Sequence, residues 1–232
     1  MKCDLILALD VPDEVRALAA LDCIGAGVDM IKIGLQLFTR HGPKFVETVA
    51  SRGYPRIFLD LKLHDIPNTV ASAIQSLAHL PIEYLTLHAC GGSEMMRAAE
   101  ETRRRVRPQM TLLGVTVLTS LSSAGLNETG VPGEAADQVL RLARLARGSG
   151  VGGLICSPAE LTALRRELGD SMKLITPGVR PAGAALDDQQ RVLTPAEAAR
   201  SGASGIVVGR PILKASNPAA AARTIRDEIA SV

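Results

Sequence analysis

Short apolar runs that end in a polar residue or a glycine alternate along the chain with longer segments of helical periodicity. The runs are Leu5–Asp10, Met30–Gly34, Ile57–Leu61, Tyr84–Ala89, Leu112–Leu118, Gly153–Ser157, Lys173–Gly178 and Gly205–Gly209. They are apolar throughout rather than alternating, as expected of parallel strands covered by helices. Between them, Glu134–Arg147 places Ala135, Val139, Leu142 and Ala146 on one stripe, with Arg141 and Arg144 facing away. The Ala-rich segments Ala196–Ala199 and Pro218–Ile229 predict packing helices. Eight strand–helix units in 232 residues average about 29 residues each. The count predicts closure into a single-domain (β/α)8 TIM barrel over residues 1–232 rather than an open doubly wound sheet.

Composition narrows the partners. An apolar fraction of 47% with 22% charged residues excludes disorder. The chain has no Trp, two Tyr and three Phe, too few rings for a stacking platform that binds single-stranded nucleic acid or a sugar polymer. A net charge of +2 supplies no global field toward nucleic acid or an anionic membrane, so a bound anion must be held by local geometry. Cys3, Cys23, Cys90 and Cys156 show no CxxC spacing, which predicts reduced core thiols and no zinc site. The N-terminal run stops at Asp10, too short for a signal peptide, and no long apolar segment follows. A soluble cytoplasmic protein is expected, without membrane or nucleic-acid polymer as partner. The run Arg103-Arg104-Arg105-Val106-Arg107 is expected to be a solvated helix end, with Glu100 and Glu101 pairing Arg104 and Arg105.

Chemistry in such a barrel sits at the C-terminal ends of strands. The polar residues there are Asp10, Lys32, Asp60 with Lys62 and Asp65, His88, Thr119, Ser157, Arg180 and Arg210. Asp60 and Lys62 are two apart, so in a strand both point into the barrel mouth. Taken alone they make either a buried ion pair that fixes the barrel end or part of a reactive cluster. Lys32 before them and Asp65 after them favour the cluster: two acids and two bases form a net-neutral network with perturbed proton affinities. Asp60 and Asp65 offer the one carboxylate pair suited to Mg²⁺, but Lys62 between them argues against a metal. After the last two strands, Thr176-Pro177-Gly178-Val179-Arg180-Pro181 and Val208-Gly209-Arg210-Pro211-Ile212 read as a phosphate grip of backbone N–H groups and guanidinium forks. His88 reads equally as structural or catalytic, whereas His41 and His79 carry no signal.

The stretch Phe58-Leu59-Asp60-Leu61-Lys62-Leu63-His64-Asp65-Ile66-Pro67-Asn68-Thr69 resembles the signature of the orotidine 5′-phosphate decarboxylase family. Leu7-Ala8-Leu9-Asp10, Ile31-Lys32-Ile33-Gly34, Val117-Leu118-Thr119-Ser120, Asp187-Asp188-Gln189-Gln190-Arg191 and the two phosphate-loop blocks follow in family order over residues 5–218. D-x-K-x-x-D alone is shared with related barrel enzymes acting on sugar phosphates. The continuation Ile66-Pro67-Asn68-Thr69 and Gln189 point to the nucleotide enzyme. The resemblance implies decarboxylation of orotidine 5′-phosphate to UMP with no cofactor and no metal. It implies Lys62 as proton donor to C6, Asp60 beside the departing carboxylate, Lys32 bridging acids and ribose, and Asp10 on the ribose hydroxyls. Arg180, Gly209 and Arg210 would take the phosphate, with Gln189 spanning phosphate and base, and Thr119, Ser120 or Ser122 would meet the base. The residues Asp65, Ile66 and Thr69 are implied to enter the neighbouring subunit's site, making the active form a homodimer. The alternatives are a metal-dependent sugar-phosphate decarboxylase or aldolase-like relative, and a noncatalytic nucleotide binder.

Overall fold

A computed structural model describes residues 2–180 and 193–232. The strands β1 (Asp4–Ala8), β2 (Met30–Gly34), β3 (Ile57–Leu63), β4 (Ile82–His88), β5 (Thr111–Val115), β6 (Gly153–Ile155), β7 (Lys173–Pro177) and β8 (Gly205–Val208) run parallel, each hydrogen-bonded to the next. Pairing of Asp4 with Gly205 through Leu7 with Val208 joins β1 to β8 and closes the barrel. The eight strand–helix units of the sequence are therefore the eight staves of a (β/α)8 barrel, with strand ends shifted by a few residues. The run at Leu112 stops at Val115 because its neighbour β6 has only three residues, and Thr116 then bonds the Ile155 carbonyl through its hydroxyl.

Side chains alternate across each strand, and the two faces bury different cores. Ile6, Ala8, Met30, Phe58, Tyr84, Leu113, Ile175 and Val207 fill the barrel interior, where Phe58 and Tyr84 meet edge to face at 6.0 Å. Leu5, Leu7, Ile31, Ile33, Leu85 and Leu87 point the other way, into the layer between strands and helices. Glycine makes room where the interior is tight: a Cβ at Gly153 would lie 2.7 Å from the Lys173 carbonyl oxygen. In the helix Ala135–Gly148 the buried stripe is Val139, Leu142, Ala143 and Ala146, with Ala135 only partly covered. No helix among the described residues is long and apolar enough to cross a membrane.

Two sequence expectations are corrected. Only Cys156 is a core thiol; Cys3 is half-buried, Cys23 and Cys90 are exposed, and all are free. The arginine run is not simply a solvated end. Glu100 is buried and pairs with Arg103 at 2.9 Å and Arg104 at 3.7 Å, while Arg105 reaches Gln75 rather than Glu101. Arg103 donates to the Pro108 and Met110 carbonyls and Arg107 to those of Ala78 and Ile82, so these side chains bond the helix C-terminus to the chain leading into β5 and to the start of β4.

At the N-terminal rim, Arg56 donates to Glu83 at 2.7 and 2.8 Å and to Asp4 at 2.7 Å, tying together β1, β4 and the approach to β3. Arg56→Ala leaves the buried Asp4 without its guanidinium partner. Because Arg56 and Glu83 are each about one third exposed, the expected loss is about 2 kcal/mol, below the 3–5 of a fully buried pair. Urea unfolding should show that loss while turnover of the folded variant stays at the parent level. A change under about 0.5 kcal/mol, the usual range of a surface substitution, would contradict this account of the rim.

Candidate active site

Strand parity builds the site. On each stave the residue two positions beyond an interior apolar side chain faces the barrel mouth. Ala8 leads to Asp10, Met30 to Lys32, Phe58 to Asp60, Tyr84 to Thr86 and Val207 to Gly209. The apolar plug is thus the floor of a cavity of about 480 Å³, within the range of small-molecule sites. Asp10, Lys32, Asp60 and Lys62 line one side, and Gly178, Arg180, Gly209 and Arg210 the β7–β8 side.

The charged groups form one alternating row. Lys62 Nζ donates to both Asp60 oxygens at 2.8 and 2.9 Å; Lys32 Nζ lies 3.5 Å from Asp60 Oδ2 and donates to Asp10 Oδ1 at 3.3 Å. Asp60 and Lys32 are nearly buried, whereas Asp10 is the exposed end of the row. Burial alone would push the Asp60 carboxyl up. The Lys32 and Lys62 ammonium groups, with hydrogen bonds from Lys62 and Thr86, outweigh it and hold Asp60 below its ordinary range.

This row differs from the expected one. Its second acid is Asp10, not Asp65, which lies exposed outside the cavity and accepts from the backbone N–H of Ile66 at 2.7 Å. Ile66 is 66% exposed and Thr69 is exposed too, so one chain presents this trio outward, away from its own cavity. Nor does Lys62 reach the mouth by simple alternation. Among the described residues it is the one non-glycine with positive φ (52°), at a register shift between Leu59 and Leu63. The left-handed turn costs about 1 kcal/mol and re-aims the ammonium onto Asp60.

The β7–β8 side is compact. Arg180 is buried and its backbone N–H donates to the Leu193 carbonyl, while Gly209 caps the short helix Arg210–Leu213. A Cβ at Gly209 would meet Ala8 Cβ at 3.3 Å and Ala8 O at 3.4 Å, so glycine lets this turn lie against β1. Gln189 lies outside the described residues. Of the three hydroxyls expected to meet the base, Thr119 lines the cavity, whereas Ser122 caps the helix Ser123–Glu128 by accepting from the Gly125 N–H. His88 is half-buried with its ring 5.5 Å from that of His64; burial, His64 and Lys62 together lower its pKa. Among the described residues, no three His, Cys, Asp or Glu side chains are grouped to hold a metal ion.

Sequence reading missed Thr86. It is fully buried and bonds both Asp60 and the backbone of Lys62. The signal was its parity: Thr86 is a small hydroxyl side chain on the inward face of β4, between Tyr84 and His88.

The sequence model of the orotidine 5′-phosphate decarboxylase / HUMPS family matches residues 4–225. A curated orotidine 5′-phosphate decarboxylase of Opitutus terrae is 54% identical over 231 residues, covering 100% of both chains. That of Nitrosococcus oceani is 47% identical over 231 residues, covering 100% of this chain and 99% of its own. Among solved structures, orotidine 5′-phosphate decarboxylase from Lactobacillus acidophilus superposes with a TM-score of 0.88 at 40% identity, covering 98% of this chain and 99% of that one.

Proposed function

Because the chain belongs to the orotidine 5′-phosphate decarboxylase family, we propose that the Asp10–Lys32–Asp60–Lys62 row is its decarboxylation machinery. The enzyme is a carboxy-lyase of pyrimidine biosynthesis that converts orotidine 5′-phosphate to UMP and CO₂. The C6–carboxylate bond breaks heterolytically, its electron pair stays on C6, and CO₂ leaves. That carbanion is poorly delocalised, so a fixed cation beside C6 lowers the barrier. Lys62 Nζ supplies the cation and then its proton, leaving UMP and a neutral amine that solvent reprotonates. Asp60, which holds that ammonium at 2.8 Å, lies beside the departing carboxylate.

Lys32 bridges Asp60 and Asp10 and faces the ribose, whose hydroxyls Asp10 binds. Gly209, Arg210 and Arg180 hold the phosphate, Gln189 spans phosphate and base, and Thr119 meets the base. Phosphate binding far from C6 supplies energy that orders the reacting end. Asp65, Ile66 and Thr69 complete the site of a second copy, so the active form is a homodimer. Free thiols throughout are in keeping with a cytoplasmic location.

The observation that carries this reading is the Lys62 ammonium on both oxygens of a nearly buried Asp60, in one cavity with Arg180, Gly209 and Arg210. The test follows the pyrimidine absorbance of orotidine 5′-phosphate in EDTA. Full conversion to UMP at an undiminished rate is expected. Loss of activity on chelation would mark a metal-dependent enzyme, and retention of UMP with an unchanged substrate spectrum would mark a binder.

A further inference from the structure

We propose that Thr86 is a positioning residue that fixes Asp60 and Lys62 relative to each other through a single hydroxyl. The inference rests on the reading of those two residues as the reacting pair. Its O–H donates to Asp60 Oδ1 at 2.9 Å, and its oxygen accepts the backbone N–H of Lys62 at 2.9 Å. A hydroxyl has one proton and two lone pairs, so it can serve a carboxylate and an amide at once. Thr86 is fully buried on β4, and its β-branched side chain is stiff at χ1, so the oxygen has little freedom.

The place where it acts matters. The β3–β4 ladder slips between Leu59 and Leu63, and Lys62 there takes a left-handed φ of 52°. Such a conformation persists only where its surroundings hold it. Thr86 satisfies the amide displaced from the regular ladder and, with the same atom, orients the carboxylate that receives the ammonium. The turn that aims Lys62 and the acid that anchors it are therefore coupled across strands.

The hydroxyl also acts on charge. Asp60 faces Lys32 from β2, Lys62 from its own strand and Thr86 and His88 from β4, with Asp10 one step further along the row. Burial pushes its carboxyl up, the two ammonium groups push it down, and the Thr86 bond adds to the downward side. Removing the hydroxyl raises the Asp60 pKa, so activity that requires ionised Asp60 fails at a higher pH on the acid side.

Thr86→Val keeps the shape and removes both bonds, whereas Thr86→Ser keeps the hydroxyl. Displacing a reacting group by a fraction of an ångström to 1 Å costs roughly 10- to 100-fold. Thr86→Val should therefore lower kcat by about that factor, with KM for orotidine 5′-phosphate changed less than about threefold and the acid limb of the kcat profile moved to higher pH. Thr86→Ser should restore kcat to within about threefold and return the limb. If the valine chain does not fold, Thr86→Cys, with a weaker S–H donor, should show the lowered kcat and shifted limb. A valine or cysteine variant with parental kcat and an unmoved limb, or a serine variant as impaired as valine, overturns the proposal. Lys62→Ala run alongside separates the two readings. If it is inert while Thr86→Val is unaffected, only the positioning role fails; if it turns over at the parental rate, both fall.

Discussion

Lys62→Ala is expected to lose at least about 10³-fold in kcat while UMP binding changes less than about tenfold. The ammonium carries two tasks in the proposed step. As a general acid it is worth about 10²–10⁴-fold, and as a preorganised cation beside a developing carbanion about 10²–10³-fold. One group performs both, so the factors do not multiply freely and the larger sets the floor. Asp60 keeps Lys32 at 3.5 Å and the Thr86 hydroxyl at 2.9 Å after the substitution, so its environment does not collapse. Arg180, Gly209 and Arg210, the proposed phosphate grip on the β7–β8 side, are untouched, which is why affinity for UMP should persist. Absorbance turnover assays and UMP titration check the two halves. Equal losses in kcat and UMP affinity would point to a damaged fold rather than a missing acid.

Lys62→Ala and Asp65→Asn chains, each inert alone, should recover about a quarter of the parental active sites when refolded together in equal amounts. Lys62 lies in its own chain's cavity, whereas Asp65, with the 66% exposed Ile66, stands outside it. A mixed dimer then holds one site with both residues intact and one with both changed, and random pairing puts half the molecules in that form. Sites built from a single chain give no recovery on mixing. That result, or full activity of Asp65→Asn alone, would remove the shared site from the account.

How legible the molecule is from its sequence depends on whether a feature is local. Strand order was readable because apolar runs that avoid alternation have few other folded solutions in this chain length. Asp10, Lys32, Asp60, Gly209 and Arg210 were found because they sit where such runs end, and parity then sends most of them into the mouth. The membership of the ionic row was misread where distance along the chain stood in for distance in space. Asp65 is three residues from Lys62 but faces out, while Asp10 reaches Lys32 across paired β1 and β2. The left-handed turn at Lys62 was hidden because no glycine or turn residue marks it; it lies where the β3–β4 register shifts, a feature of strand pairing rather than of local sequence. The Asp4–Arg56–Glu83 cluster was invisible for a similar reason, since its members come from three separate staves.

Whether an ammonium at position 62 performs the reaction can be read by restoring that group chemically. Lys62→Cys treated with 2-bromoethylamine carries a thioether side chain as long as lysine and ending in an ammonium. Cys23 and Cys90 are exposed and will react as well, so parent enzyme treated in the same way is the reference. The measurement is the initial rate of orotidine 5′-phosphate consumption by absorbance, in EDTA, before and after alkylation. The cysteine variant should be inert and should gain turnover on alkylation. A cysteine variant as fast as the parent before treatment, or an alkylated one that binds UMP normally and leaves the substrate unchanged, would contradict that role for Lys62.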